Sequence, residues 1–403
     1  MQKPQRTGVY QDSGRQQNVL VRKSYNIPYA SQYMCENFKW FYDIMAIPTR
    51  RSIMGGNALS VPIRRMSKEE ICGAQKHVQE VLKKELGLSS FGIPAYRQKE
   101  TFGDIDIIVE RDRQIGEDGI PRFFQDDLMD IAQTHFHARD FAPNTNMLSF
   151  DYRMSKNDTA GFQVDLIQTP PEFVQTSIRY YSYNDLGNFI GRIAHKMGVK
   201  FGHEGLLYLY RDGNYLFRTI TVSQDHDAIL TCLGYDPYRY NQGFDTLQDI
   251  FEFAASTQYF NKDLFLLENR NHRARTRDRK RANYNAFLSF AENNSLAQYD
   301  YSQYEDKSLW LPHLFSHFPS FKNEFEQTQK DFNAHQLFKE RFNGKILGNA
   351  TGLKGKELGA FMGAFKQHLG DDLVKLAQKD PQAIAQSAQE FLRQYQSAKP
   401  MKM

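Results

Sequence analysis

"RQKETFGDIDIIVE", residues 97–110, decides how the chain is read. Asp104 and Asp106 sit one residue apart inside the apolar run Ile105, Ile107, Ile108 and Val109. A strand alternates its faces with period 2, so both carboxylates point the same way. Two like charges on one half-buried strand face are costly unless a cation offsets them. A third acid, Asp165, lies in "FQVDLI", residues 162–167, with the same apolar framing. If the two strands pair as neighbours, all three carboxylates share one sheet face. Three aspartates suit a hard cation: Mg²⁺ takes oxygen ligands and keeps positions open for substrate phosphates. Two such ions can activate a hydroxyl and steady a leaving pyrophosphate, which is phosphoryl-transfer chemistry.

Around this stretch the pattern is mixed. Ser67 followed by Glu70 forms a capping box that opens a helix running to Leu86, stopped at Gly87. "FFQDDLMDIAQTHF" predicts an amphipathic helix, and "NMLSFDYRM" and "GFQVDLIQT" predict strands. Helical spacing returns over 184–198. A hairpin follows in "GLLYLYRDGNYLFRTITV", turning at Asp212-Gly213, with Ser223 as the cap of the next helix. From about 243 the pattern is helical, broken by a loop near 293–318. The fold class is therefore α+β. Four segments are expected: an N-terminal arm and helical region over 1–66, a catalytic α+β unit over 67–175, a small α/β unit over 176–242, and a helical C-terminal domain over 243–403.

The totals narrow the class. Four hundred and three residues suffice for two or three domains. Net charge is only +4, so any basic patch must be local. The aromatic content of 14% suits base stacking as well as core packing. Cys35, Cys72 and Cys232 are odd in number and far apart, which fits neither a disulfide framework nor a zinc motif. No apolar run approaches a membrane span, and the polar N-terminus lacks a secretion signal's apolar core. The expectation is an intracellular, cytoplasmic protein in a reducing compartment, with no membrane partner.

The motif "YRQKETFGDIDIIV" resembles the palm of family X DNA polymerases, within the polymerase-beta-like nucleotidyltransferase superfamily. The resemblance implies that Asp104, Asp106 and Asp165 are the catalytic metal ligands. They would hold two Mg²⁺ ions, for which Mn²⁺ could substitute. It implies that Arg97, seven residues before Asp104, contacts a nucleoside triphosphate. "RYYSYNDLGNFIGRIAHKMGVKFGHEGL", 179–206, is similar to the family's thumb-like nucleotide-binding segment. There Tyr180 and Tyr181 match the aromatic pair on the sugar, Asp185 the residue under the base, and Asn188 the minor-groove residue. Arg192 matches a basic residue near the template. The chain departs from the family in two places. Ile93-Pro94 stands where a Gly-Ser backbone clamp is usual, and proline has no N–H to offer. Tyr183-Asn184 replaces a second Gly-Ser. Gly55-Gly56 in "MGGNALS" resembles the glycine pair that many nucleotidyltransferases place against the triphosphate.

The strongest charge feature is "ENRNHRARTRDRKRANY", 268–284. Arg270, Arg273, Arg277 and Arg281 are expected on one helix face that neutralises nucleic-acid phosphates. "FNGKILGNATGLKGKELGAFMGAFKQHL", 342–369, resembles the helical body of CCA-adding enzymes. The function implied is transfer of a nucleoside monophosphate from NTP or dNTP to a DNA or RNA 3′ hydroxyl, as in short-gap DNA repair. The alternatives are a terminal RNA nucleotidyltransferase of the CCA-adding type, or a catalytically degenerate nucleic-acid-binding protein.

Overall fold

The chain is described here from a computed structural model, which covers residues 58–116, 118–370, 376 and 381–397. Residues 1–57 of the expected N-terminal arm and helical region over 1–66, with Gly55 and Gly56, lie outside them. Ser67 caps the first helix, α1 (Lys68–Leu86): its hydroxyl accepts from Glu70 N–H while the Glu70 carboxylate accepts from Ser67 N–H. Gly87 ends α1 at φ 68°, a left-handed conformation that glycine adopts without Cβ strain.

A five-stranded sheet follows. Its strands are β1 (Ser90–Gly92), β2 (Asp104–Glu110), β3 (Phe141–Asn144), β4 (Met147–Tyr152) and β5 (Phe162–Thr169), in the order β1-β2-β5-β4-β3. Only β2 and β5 are parallel; every other pairing is antiparallel. Period-2 alternation splits the sheet's side chains cleanly. Ile105, Ile107, Val109, Leu148, Phe150, Val164 and Leu166 pack beneath α1 and α2 (Asp126–His135) in one buried core. The opposite face carries the aspartates at one end and Ile108 and Ile167 at the other. Its apolar end is closed by Val174 and Ile178 of α3 (Val174–Tyr181).

The second core runs from Leu186 to Phe325. It gathers α4 (Leu186–Lys196), the meander β6 (Val199–Gly202), β7 (Gly205–Asp212) and β8 (Tyr215–Ser223), and the helices that follow. These are α5 (His226–Cys232), α6 (Pro237–Gln242), α7 (Leu247–Ala255), α8 (His272–Asp278), α9 (Ala282–Asn293), α10 (Leu311–His317) and α11 (Pro319–Arg341). Stacked and edge-on rings hold it together: Phe189 lies 4.2 Å from Phe287 and packs edge-on to Phe265 at 6.2 Å. Such pairs add about 0.5–1.5 kcal/mol beyond their area burial. This core crosses residues 242–243, where the sequence suggested a division. The cap of α5 is Asp225 rather than Ser223; Ser223 instead accepts from Asp225 N–H. A third, smaller core joins α12 (Gly344–Thr351), α13 (Gly355–Leu369) and α14 (Pro381–Ser397) through Phe342, Leu347, Phe361, Phe365, Ile384 and Ala388. Among the described residues no helix is long and apolar enough to cross a membrane.

Candidate active site and its basic flank

The parallel pairing of β2 with β5 puts Asp106 directly opposite Asp165, and Asp104 opposite Gln163. Both register and alternation therefore place the three aspartates on one face, as the spacing predicted. Asp165 is buried, 6% exposed, while Asp104 and Asp106 are half-buried. Burial, with the charges of Asp165 and Asp104, holds Asp106 well above the usual carboxylate range against the pull of Lys99. Asp165 is pushed up to about 7 by burial and by Asp104, while the nearby Ser149 hydroxyl and the Gln163 amide pull it down. Gln163 donates to both Asp165 oxygens, at 3.0 and 3.1 Å. Its own carbonyl accepts from Ala58 N–H at 3.1 Å, which anchors residue 58 beside the acids.

Lys99 is the cation that faces this cluster. Burial lowers its pKa, while Asp104 and Asp106 pull it back up. Its ammonium lies 4.5 Å from the Phe102 ring centroid and donates to Asn184 Oδ1 at 3.3 Å. Asn184 and its neighbour Tyr183 are both left-handed, at φ 63° and 62°. Neither is glycine, and such conformations cost on the order of 1–3 kcal/mol each where the residue is strained. Tyr183 is held there by its N–H on Pro94 C=O at 2.9 Å and by edge-on packing against Tyr240 and Phe244. So Ile93-Pro94 and Tyr183-Asn184, the two departures from the family pattern, meet each other beside Lys99.

The remaining expected nucleotide ligands are distributed as follows. Tyr181 borders the carboxylates. Its phenol is held protonated by burial, by Tyr180 and by Asp106. Tyr180 packs edge-on against Tyr181 and Phe201, and Gly187 passes so close to its carbonyl that a Cβ there would sit 2.2 Å away. Arg97 is exposed and turned to the loop after α6, where its guanidinium donates to Asp245 and to Gln242 C=O. Asp185 accepts from Asn188 at 3.1 Å and pairs with Arg281. Its carboxyl is raised by burial despite that partner.

The basic segment departs from the expected single helical face. Helix α8 starts only at His272, after the Asn271 cap, and the chain turns at 279–281 before α9. Arg270 is buried, 6% exposed. It pairs with the buried Asp278 at 2.6 Å and donates to Tyr284 Oη at 3.2 Å. Arg277 also pairs with Asp278, at 2.9 Å, and Arg281 with Asp185. Arg273 alone of the four is exposed. The physical reason is that a buried carboxylate needs a cation, and these arginines supply it.

Sequence reasoning did not single out Gln163 or Ser149, the hydrogen bond that Asn184 accepts or the facing role of Lys99. Gln163 was accessible, because two residues before Asp165 on a strand is the same face. The three aspartates share the face without closing on one another: among described residues, the His/Cys/Asp/Glu trio whose ligand atoms all lie within 4.8 Å is Cys232, His313 and His317. Its signal was the H-x₃-H spacing of His313 and His317. In that trio His313 Nε2 already lies 2.9 Å from Cys232 C=O, and burial pushes the Cys232 thiol up to about 12. No protein-family profile matches the chain, and no curated protein matches it significantly.

Proposed function

We propose that this chain is a Mg²⁺-dependent nucleotidyltransferase of the polymerase-beta-like type, joining a nucleoside monophosphate from NTP or dNTP to a nucleic-acid 3′ hydroxyl. The observation that carries the reading is the in-register opposition of Asp106 and Asp165, with Asp104 on the same face and Lys99 as the facing cation. The donor set fits a hard divalent cation: every candidate ligand is a carboxylate oxygen, and burial with neighbouring acids raises the Asp106 and Asp165 carboxyls. The ligand atoms of the three aspartates do not all lie within 4.8 Å of one another, so side-chain rotation would accompany ion binding. Asp104 and Asp106 would hold both ions and Asp165 the one nearer the hydroxyl. The ions supply Lewis acidity to the attacking hydroxyl and to the leaving pyrophosphate.

The chain's own residues do the rest. Gln163 fixes the Asp165 carboxylate by holding both its oxygens. Tyr181 offers a flat face beside the acids on which a sugar or base can rest. Lys99 supplies a point charge for a phosphate oxygen. Arg97 reaches the triphosphate by leaving Asp245, an exposed pair that costs little to open.

The test is nucleotide incorporation with Mg²⁺ on gapped DNA, single-stranded DNA and tRNA lacking its 3′ end. Template-dictated dNTP addition on gapped DNA is the expected result. CTP and ATP addition to tRNA alone would replace the DNA reading with the terminal RNA one. Absence of incorporation on every substrate, or full activity in Asp104→Ala, would sink the proposal.

A further inference from the structure

Away from the carboxylates, the last turn of α4 and the segment leading into α8 enclose a cavity of about 390 Å³. That lies within the range of small-ligand sites, about 300–1,000 Å³. Arg192, Lys196 and Arg270 converge on it, with His195 at an exposed edge and the amides of Asn269 and Asn271 along its wall. One carboxylate, the exposed Asp263, also lines it.

Three observations set this cavity apart from an ordinary solvated basic surface. Arg192 Nε is buried with no hydrogen-bond partner among the described residues. A buried N–H without an acceptor is costly, so the position asks for an anion or a bound acceptor. Arg270, nine-tenths buried, has Nη1 on Tyr284 and Nη2 beside Asp278, so its position in the wall is fixed. Asn271 spends its side-chain oxygen on Ala274 N–H, which leaves its NH₂ as the remaining donor group. The cations also repel one another. Arg192 is lowered to about 10 by burial and then by Arg270. His195 is pushed to about 4 by desolvation, Lys307, Arg192, Arg270 and Lys196. Asp278 answers Arg270, but no described ion pair answers Arg192 or Lys196.

We propose that this cavity is a phosphate-binding pocket, with Arg192, Lys196 and Arg270 as its charged donors and Asn271 as a neutral one. A tetrahedral phosphate accepts several N–H donors at once, and guanidinium groups match its oxygens pairwise. The phosphate belongs to a free anion or to a nucleic-acid strand, two sources of one chemistry. The inference stands apart from the carboxylate reading, because none of these residues touches Asp104, Asp106 or Asp165 in any described hydrogen bond or ion pair.

The experiment uses the full chain and the variants Arg192→Gln and Lys196→Gln. Calorimetric titration with inorganic phosphate is run against chloride at matched ionic strength. It is repeated with a short single-stranded oligonucleotide carrying or lacking a 5′-phosphate, and melting is followed in chloride alone. Wild type is expected to bind at least one of these probes, and each variant to bind it about tenfold more weakly. Both variants should melt at or above wild type in chloride, because each removes a crowded cation. That result separates lost ligand contact from lost folding. Weakened binding of inorganic phosphate supports the pocket with a free anion as occupant; weakened binding of the oligonucleotides alone supports it with a strand phosphate. Unchanged affinity for every probe in both variants overturns it, as does a wild type that binds none of them. Asp104→Ala, which tests the carboxylates, should leave phosphate affinity intact, so the two readings can fail separately.

Discussion

On the sheet face at Asp106, three carboxylates gather with the Lys99 ammonium near them. Around Arg270, the balance runs the other way: Arg270, Arg277 and Arg281 share two acids, the buried Asp278 and the half-buried Asp185. Both regions crowd like charges, but the basic one carries its counterions within the chain. Each of these two acids has an arginine within ion-pair distance. In the acidic region no described ion pair reaches Asp106 or Asp165, and burial with neighbouring acids raises both carboxyls above the usual range. A like-charge cluster balanced from inside serves the fold; one left short of countercharge is poised for something from outside. The cavity at Arg192 is the place where the basic region shares the second condition.

The contrast breaks most visibly at the metal aspartates. Asp106→Ala and Asp165→Ala should each lower nucleotide incorporation by about a thousandfold or more, since ion-mediated stabilisation is worth several kcal/mol and each 1.36 kcal/mol is tenfold. Melting temperature should hold or rise, because each variant removes a crowded acid. Activity within tenfold of wild type would remove these residues from the chemistry.

The reverse pattern is expected at Asp278. It is 1% exposed and sits between Arg270 and Arg277. Asp278→Ala strands the buried Arg270 charge, so a loss of about 3–5 kcal/mol in denaturant unfolding is expected. A loss below about 1 kcal/mol would mean that water reaches Arg270 and the internal balance is unnecessary.

A pH scan sharpens the same comparison. Asp165 holds its proton to about 7 when folded, against 3.8 for the ordinary side chain. Between those values the folded state binds more protons than the unfolded, so this group makes stability fall as pH rises. Urea unfolding without divalent cation should therefore show a downward slope from about pH 4 to 7, worth a few kcal/mol at about 1.4 kcal/mol per pKa unit. Asp165→Asn should flatten it. A slope unchanged in that variant would place the pH response elsewhere.

The acidic half of this comparison was legible in the sequence, and the basic half was not. Period-2 alternation, an apolar frame and a capping box are local signals, and they located β2, β5, α1 and the shared face of the three aspartates. The partners of Arg281 and Arg97 lie 96 and 148 residues away, at Asp185 and Asp245. Charge spacing alone reads Arg281 as part of a free helical face, and the motif reads Arg97 as a triphosphate contact. The second core was hidden for the same reason: Phe189 meets Phe287 across nearly a hundred residues, which no periodicity reports. Lys99 was visible as a basic residue, but its orientation depends on the 183–184 turn.

That turn yields the smallest and most specific expectation. Asn184 is left-handed and accepts from Lys99, so it couples backbone strain to the cation facing the acids. Asn184→Gly removes the hydrogen bond and keeps the conformation accessible. Asn184→Ala removes the same bond and keeps a Cβ, which the left-handed region penalises by about 1–2 kcal/mol relative to glycine. Glycine gives back part of that through the greater freedom of its unfolded chain, about 0.4–1 kcal/mol. The alanine variant should therefore be the less stable of the two, by roughly 1 kcal/mol in denaturant unfolding. Both should alter activity alike, because both release Lys99. Equal stability would show that the 183–184 backbone relaxes out of its left-handed pair, and with it would go the reason for Lys99 to point at the carboxylates. Unequal activity would mean that the backbone conformation, rather than the hydrogen bond, positions that ammonium.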